Sequence, residues 1–282
     1  MTGGGAFGWA PGEWTDDTQM SIVILQAAET AQANQATLVD YLDDIVTGWI
    51  AWSQQATDVG NQTRKVLSSG STTASGLTDV AAALHRKTGQ TAGNGSLMRT
   101  APVALALFGD RQATAEAARA ISELTHYDPH AGDACVLWTA AIQHAIINGE
   151  FNLTNGLETI PAERRDYWAE RISEAEAHDA TTFTNNGWVV HALQAAWSLI
   201  TRTSTPESTG LADPTGHLTQ VLEGAARLAG DTDTVAAIAG ALVGARWGAS
   251  AVPEPWQRIV HGWPGLTGVE LAKRGLAVVP NA

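Results

Sequence analysis

Two short acidic segments open strongly apolar stretches near opposite ends of the chain. A single carboxylate or hydroxyl at a helix start ordinarily caps free backbone N–H groups and suits the positive end of the helix dipole. One cap needs one side chain, however, and both segments carry more oxygen atoms than capping uses. The surplus residues and their neighbours are Thr15, Asp16, Asp17, Asp231, Asp233 and Thr234.

These oxygen atoms would form a cation site if the two segments faced each other in the fold. Carboxylates and hydroxyls are hard ligands that suit Mg²⁺, Mn²⁺ or Ca²⁺ and suit soft metals poorly. Four carboxylates are enough to hold two ions about 3.5–4 Å apart, as in binuclear hydrolases. The residues therefore predict a divalent metal centre, with helix capping as the ordinary alternative for either segment alone.

A glycine-rich segment, Gly93 to Arg99, precedes an apolar stretch that runs to Leu107. Free backbone N–H groups at such a helix start can bind a phosphate. The segment matches neither the dinucleotide-binding glycine pattern nor a P-loop. A simple turn that leads into the helix explains its glycine and asparagine residues equally well, so both interpretations stay open.

A third candidate segment holds two histidines, His126 and His130, on either side of Asp128. Pro129 disfavours the helical conformation at Asp128, so the two rings need not share a face. This geometry favours a junction between a loop and a helix, with His126 as a hydrogen-bonding residue, over a histidine metal site.

The elements that must position these residues show helical rather than alternating periodicity. Apolar residues from Leu38 to Trp49, for example, fall on one helical stripe. We predict an all-α fold, a single domain over residues 1–282 with about ten or more helices, and loops at Gln54–Gly60, Ser68–Gly76 and Thr201–Gly216. The further helices are predicted over Asp16–Thr30, Thr78–Arg86, Leu97–Leu107, Gln112–Leu124, Gly132–Asn148, Pro161–Glu176, Trp188–Ile200, Leu218–Leu228 and Thr234–Arg246.

Charge and composition exclude several classes of protein. The formal net charge of −13 argues against general binding to nucleic acid or to an anionic membrane surface. The lone Cys135 excludes an internal disulfide and a cysteine zinc cluster. The most apolar stretch, Val235–Ala245, is shorter than the roughly 20 residues that cross a bilayer. We therefore expect a cytoplasmic protein without a membrane segment or secretory signal.

Four motifs, taken together and in this order, resemble the ADP-ribosylglycohydrolase family. The resemblance extends over nearly the whole chain, and the last motif is the most specific. The motifs are Gly12-x-x-Thr15-Asp16-Asp17-Thr18, Gly93-Asn94-Gly95-x-x-Met98-Arg99, Thr125-His126 and the segment Gly-Asp-Thr-Asp-Thr-Val-Ala-Ala-Ile-Ala-Gly at 230–240.

The resemblance implies an orthogonal helical bundle that cleaves the glycosidic bond at C1″ of an ADP-ribosyl group. It implies a binuclear centre of Mg²⁺ or Mn²⁺ and an ADP-ribosylated substrate. We also expect a monomeric protein. The implied roles are metal ligation by Thr15, Asp16, Asp17, Asp231, Asp233 and Thr234, binding of the diphosphate and ribose by Asn94, Gly95, Ser96 and Met98, and lining of the pocket by His126. Asp17 or Asp231 would assist the water that attacks C1″.

The resemblance also implies a preceding helix that supplies a glutamate at the metals. The sequence given starts on the family's Gly-Gly-Gly-x-Phe stretch, and Glu13 does not match the position of that glutamate. We therefore expect fewer acid and base groups for catalysis at this site. We keep a second hypothesis, a non-catalytic protein that binds ADP-ribose or a nucleotide on the same scaffold. Release of ADP-ribose with and without Mg²⁺ distinguishes the two.

Overall fold

Segments rich in alanine and leucine form helices, and glycine or proline separates them, in a computed structural model that describes residues 2–205 and 214–280. The prediction of an all-α fold is confirmed. The helices are α1 (Asp16–Ala33), α2 (Leu42–Ser53), α3 (Asn61–Leu67), α4 (Ala74–Thr88), α5 (Ala101–Ala106), α6 (Arg111–Glu123), α7 (Pro129–Asn148), α8 (Ala162–Ala177), α9 (Val189–Arg202), α10 (Pro214–Ala226), α11 (Thr232–Trp247), α12 (Glu254–Ile259) and α13 (Gly268–Ala277).

Short 3₁₀ helices and one small hairpin complete the described structure. The strands β1 (His261–Gly262) and β2 (Leu266–Thr267) pair antiparallel, with His261 opposite Thr267. The 3₁₀ segments are Leu38–Tyr41, Asn94–Arg99, Thr154–Thr159, Ala180–Thr182 and Ala249–Ala251.

The structure corrects one predicted helix and adds three. The stretch Leu97–Leu107 is not one helix, because a 3₁₀ turn ends at Arg99 and α5 starts at Ala101. Pro102 lacks the N–H that a continuous helix would bond to Met98, so the chain restarts there. The sequence reading missed the short helices α3, α12 and α13. Of the predicted loop Thr201–Gly216, residues 206–213 lie outside the described residues.

Buried tryptophans fix the two helices that begin with the acidic segments. Trp49 on α2 donates its indole N–H to the carbonyl of Met20 on α1 at 3.1 Å. Trp138 on the largely buried α7 donates to the carbonyl of Ile238 on α11 at 3.1 Å. Both indoles are buried, so these hydrogen bonds replace contacts with water and fix how the helices pack.

Long apolar helices of this fold stay within the core. No helix in the described part of the chain combines the length and the apolar character needed to cross a bilayer.

Candidate metal and ligand site

The N-termini of α1 and α11 meet at one pocket. One carboxylate oxygen from each of Asp16, Asp17 and Asp233 lies within 4.8 Å of the others. The N-cap residues of the two helices, Thr15 and Asp231, make no side-chain capping hydrogen bond. Side-chain capping therefore does not account for Thr15 and Asp231, whereas Asp16, Asp17 and Asp233 lie in the first turns of their helices, where the helix dipole favours acidic residues.

The carboxylates are in an electrostatically unfavourable arrangement. Asp16 and Asp17 are 8% and 2% exposed, whereas Asp233 is exposed. Burial, followed by the charge of Asp17, raises the pKa of Asp16 to about 8. Burial, followed by the charge of Asp233, raises the pKa of Asp17 to about 7, against an opposing hydrogen bond from Thr15. A divalent cation would remove this mutual repulsion.

The hydrogen bonds of Asp17 test whether a cation fits this group of carboxylates. Oδ2 of Asp17 accepts a hydrogen bond from the hydroxyl of Thr15, but its Oδ1 is buried and has no partner among the described residues. A buried polar atom without a partner is costly unless something binds it. Hard oxygen donors from carboxylates and hydroxyls match Mg²⁺, Mn²⁺ or Ca²⁺. The residues present thus fit a divalent metal.

Asp231 lies beside this group and connects it to the glycine-rich segment. Its Oδ2 accepts a hydrogen bond from the amide of Asn94 at 2.7 Å, and its backbone N–H donates to Asn186 at 2.9 Å. Burial raises the pKa of Asp231, although the bond from Asn94 opposes this. Thr234 is buried, and its hydroxyl lies 3.9 Å from the sulfur of Met98.

The glycine-rich segment packs tightly against His126. A Cβ atom added at Gly93 or at Gly95 would lie 3.2 Å from the imidazole ring. Gly95 does not have a positive φ, so the position requires space rather than a special backbone conformation. Ser96 is 1% exposed and accepts from the thiol of Cys135, which places it behind the segment and not on the pocket wall.

The pocket itself is a cavity of about 700 Å³, within the range of small-molecule sites. Asp16, Asp231 and Asp233 line one side, and Gly93, Asn94, Gly95, Met98 and His126 line another. Trp9 lines it as well, while Trp14 is buried and donates to the carbonyl of Trp263.

Sequence reasoning missed several residues that line or support the pocket, among them Asp58, Phe7 and Asn186. Asp58 lies in the loop before α3, and burial together with the charge of Asp233 raises its pKa. Phe7 lines the pocket although it is 46% exposed. Asn186 supports the Asp231 backbone from a distant loop. The one local signal for Asp58 as a pocket residue was its position two residues before a glycine, in Asp58-Val-Gly60.

The two histidines around Pro129 separate in the fold. His126 is 2% exposed and lines the pocket. Asp128 caps α7, and His130 stacks on Tyr167 with 4.8 Å between ring centroids. These positions agree with a loop-to-helix junction and give no shared histidine metal site.

Comparison with known proteins finds matches over most of the chain. The family described as ADP-ribosylglycohydrolase matches residues 1–280. Over 262 residues, the chain is 28% identical to the ADP-ribosylarginine hydrolase Tri1 of Pseudomonas putida, covering 91% of this chain and 64% of that protein. It is also 28% identical over 262 residues to the ADP-ribosyl-[dinitrogen reductase] glycohydrolase of Rhodospirillum rubrum, covering 91% of this chain and 76% of that one.

A solved structure shares the fold. The chain superimposes on a protein described as an ADP-ribosylglycohydrolase-related protein complex with a TM-score of 0.64 and 24% identity, covering 99% of this chain and 85% of the other. The chain spans slightly less than two thirds of the length of the two Tri1 hydrolases that it matches, 64% and 65%.

Proposed function

The chain belongs to the ADP-ribosylglycohydrolase family, and we propose that it is a metal-dependent hydrolase that cleaves the glycosidic bond at C1″ of an ADP-ribosyl group. The observation that carries the proposal is the group of three carboxylates from opposite ends of the chain, within 4.8 Å of one another. The N-cap residues beside this group, Thr15 and Asp231, make no side-chain capping hydrogen bond.

Two divalent cations, Mg²⁺ or Mn²⁺, would be held by Asp16, Asp17 and Asp233, with Thr15, Asp231 and Thr234 completing the ligand set. Such ions supply Lewis-acid stabilisation of developing charge and orient the ribose hydroxyls. The buried, unpartnered Oδ1 of Asp17 supports this assignment.

The remaining polar residues bind and orient the substrate. Asn94, Gly95, Met98 and His126 line the pocket next to the carboxylates and hold the diphosphate and ribose there, while Ser96 lies outside the lining and supports the segment. Asp17 or Asp231 accepts the proton of the water that attacks C1″ as the bond from C1″ to the leaving group breaks.

Two residues of the pocket lining outside the proposed metal ligands favour a cationic acceptor. Asp58 contributes negative charge, and the exposed Phe7 offers an aromatic face. A guanidinium can pair with carboxylates and stack on an aromatic ring. We therefore assign an ADP-ribosylated arginine side chain as substrate, and the arginine hydrolases among the relatives support this choice.

The proposal is tested by release of ADP-ribose from two modified peptides, one linked through arginine and one through serine. We expect release from the arginine peptide that requires Mg²⁺ or Mn²⁺ and stops with a chelator. ADP-ribose binding without release from either peptide would instead identify a binding protein. Release that persists in chelator would contradict the metal-dependent mechanism.

A further inference from the structure

A fully buried arginine, Arg99, ends the glycine-rich 3₁₀ segment and forms no ion pair with a carboxylate among the described residues. Arg99 is 0% exposed, and its guanidinium lies 3.9 Å from the ring centroid of Trp49. Nη1 contacts the sulfur of Met20 at 3.6 Å, and Nε has no partner in the described chain. Its one short hydrogen bond runs from Nη2 to the hydroxyl of Thr125 at 2.7 Å. This bond is therefore the main hydrogen bond that stabilises the buried guanidinium.

The same hydroxyl also contacts the neighbouring histidine. Oγ1 of Thr125 lies 2.7 Å from Nδ1 of His126. A guanidinium can only donate, so one lone pair of the hydroxyl accepts from Arg99. Within residues 2–205 and 214–280, the threonine proton has no hydrogen-bond acceptor other than Nδ1. The hydroxyl therefore donates to Nδ1, and the proton of the neutral imidazole is on Nε2.

We propose that Arg99 and Thr125 act as positioning residues that hold His126 in its Nε2–H tautomer, so that this N–H donates a hydrogen bond to an oxygen of the bound ADP-ribosyl group. This inference rests on the proposed function. His126 lines the pocket, and its Nε2 faces Gly93 and Gly95, where an added Cβ would lie 3.2 Å away. No described residue accepts a hydrogen bond from Nε2, which leaves it available to a ligand.

The surrounding structure keeps this arrangement rigid and neutral. Gln62 donates its amide to the carbonyl of Thr125 at 2.9 Å and to that of Thr91 at 3.0 Å, which fixes the backbone of the Thr125 turn. Burial and the nearby charge of Arg99 hold the pKa of His126 well below its usual range. The ring thus stays a single donor rather than a cation near neutral pH.

The tautomer is measured directly in ¹⁵N-labelled protein without any ligand or metal. Two-bond ¹H–¹⁵N spectra distinguish the tautomers, and the His126→Asn variant assigns the signals. We expect the Nε2–H form in the wild type. In Thr125→Val, which keeps the shape and removes the hydroxyl, we expect mixed tautomers and about tenfold weaker ADP-ribose binding by calorimetry. Thr125→Ser, which restores the hydroxyl, should restore both.

Two further variants separate positioning from a loss of folding. Arg99→Met removes the donor and should also produce mixed tautomers. Thr114→Val removes another buried hydroxyl, which bonds to backbone carbonyls near the start of α6, and should change neither the tautomer nor the affinity. A wild-type Nδ1–H tautomer would overturn the inference even if no variant folded. An unchanged tautomer in folded Thr125→Val would overturn it as well.

The outcome is also distinguishable from failure of the proposed function. If the wild type shows the Nε2–H form but binds no ADP-ribose, the proposed ligand is wrong. The inferred hydrogen bond from Nε2–H to that ligand is then wrong as well. If the wild type binds ADP-ribose but shows the Nδ1–H form, only the positioning role is wrong.

Discussion

The two sides of the pocket are stabilised in opposite ways. On the acidic side, residues 15–17 and 231–234, carboxylates crowd together, and one buried oxygen of Asp17 has no hydrogen-bond partner within the part of the chain that the structure describes. On the loop side, residues 93–98 and 125–126, polar groups bond to protein. Asn94, for example, donates its amide to Asp231 and to the carbonyl of Asn186, and its backbone N–H to the carbonyl of Gly187.

This difference indicates that the loop side is preorganised before its ligand binds, whereas the acidic side is strained by repulsion until a cation binds. The loop side is already organised by internal hydrogen bonds, so a ligand there loses little free energy to ordering. The acidic side carries mutual repulsion that a cation would relieve. Substitutions on the acidic side should therefore change how much Mg²⁺ raises the melting temperature. Substitutions on the loop side should change only the affinity for ADP-ribose.

The largest effect is expected from Asp233→Ala. This variant removes the exposed member of the carboxylate group, so the core should remain folded. The wild type should gain melting temperature with Mg²⁺ by mass action, and the variant should gain much less. Release of ADP-ribose should fall by about a hundredfold or more, since metal sites lose this much even when supporting residues change.

Asp79→Ala provides the matched control for this substitution. Asp79 is an exposed aspartate on α4, outside the pocket lining. Its replacement should leave the gain with Mg²⁺ intact. Equal gains in the wild type and in Asp233→Ala would remove Asp233 from the metal site.

The next effect concerns the loop side. In Gly95→Ala, the new Cβ would lie 3.2 Å from the ring of His126, which is buried and has little room to move. We expect about tenfold weaker binding of ADP-ribose by calorimetry, roughly 1.4 kcal/mol. The gain in melting temperature with Mg²⁺ should be nearly unchanged.

Gly244→Ala on α11 is the control for adding a methyl group. A Cβ there has no atom within 4 Å, and Gly244 does not line this pocket. Affinity should match the wild type. If Gly95→Ala also binds ADP-ribose like the wild type, the phosphate does not contact this segment.

Local sequence patterns predicted most helices and the residues of the acidic side. The surplus of oxygens in Thr15–Asp17 and Asp231–Thr234 indicated a joint site, because capping alone uses fewer. The structure brings the two segments together. The helical spacing of apolar residues also located the long helices, because the apolar face of each helix must be buried.

Other features depend on tertiary contacts that no local pattern contains. Asn186 supports Asp231 from 45 positions away along the chain. Ser96 belongs to the glycine motif, yet a 3₁₀ turn directs it towards Cys135 and away from the cavity. Asp58 becomes a pocket residue only because its loop packs near Asp233.

The crowding of the acidic side should also appear in the pH dependence of the metal-free protein. The folded-state pKa values of Asp16 and Asp17 are raised to about 8 and about 7, above the ordinary value of 3.8. The folded protein then binds more protons than the unfolded one between those values, so stability falls as pH rises from about 4 to about 8. Each such proton corresponds to roughly 1.4 kcal/mol per pH unit.

Thermal melts at pH 5 and pH 8, with chelator and with Mg²⁺, measure this slope. Mg²⁺ should flatten it, because the cation stabilises the ionised carboxylates. Asp17→Asn should also flatten it in chelator, since one of the two groups no longer titrates. A metal-free protein that is more stable at pH 8 than at pH 5 would contradict the assigned electrostatics.

The smallest effect is expected at Asp58, which faces the pocket from neither of the two sides. It is half-buried, and burial together with the charge of Asp233 raises its pKa. A partly solvated carboxylate contributes modestly to binding a cation, so Asp58→Asn should reduce the preference for the arginine-linked over the serine-linked peptide by about two- to fivefold. The change should appear in KM, with the gain in melting temperature with Mg²⁺ retained. Asp79→Asn, an exposed aspartate of the same chemistry outside the pocket, should leave the preference unchanged. If Asp58→Asn instead abolishes the gain with Mg²⁺, then Asp58 belongs to the acidic side and the acceptor is recognised elsewhere.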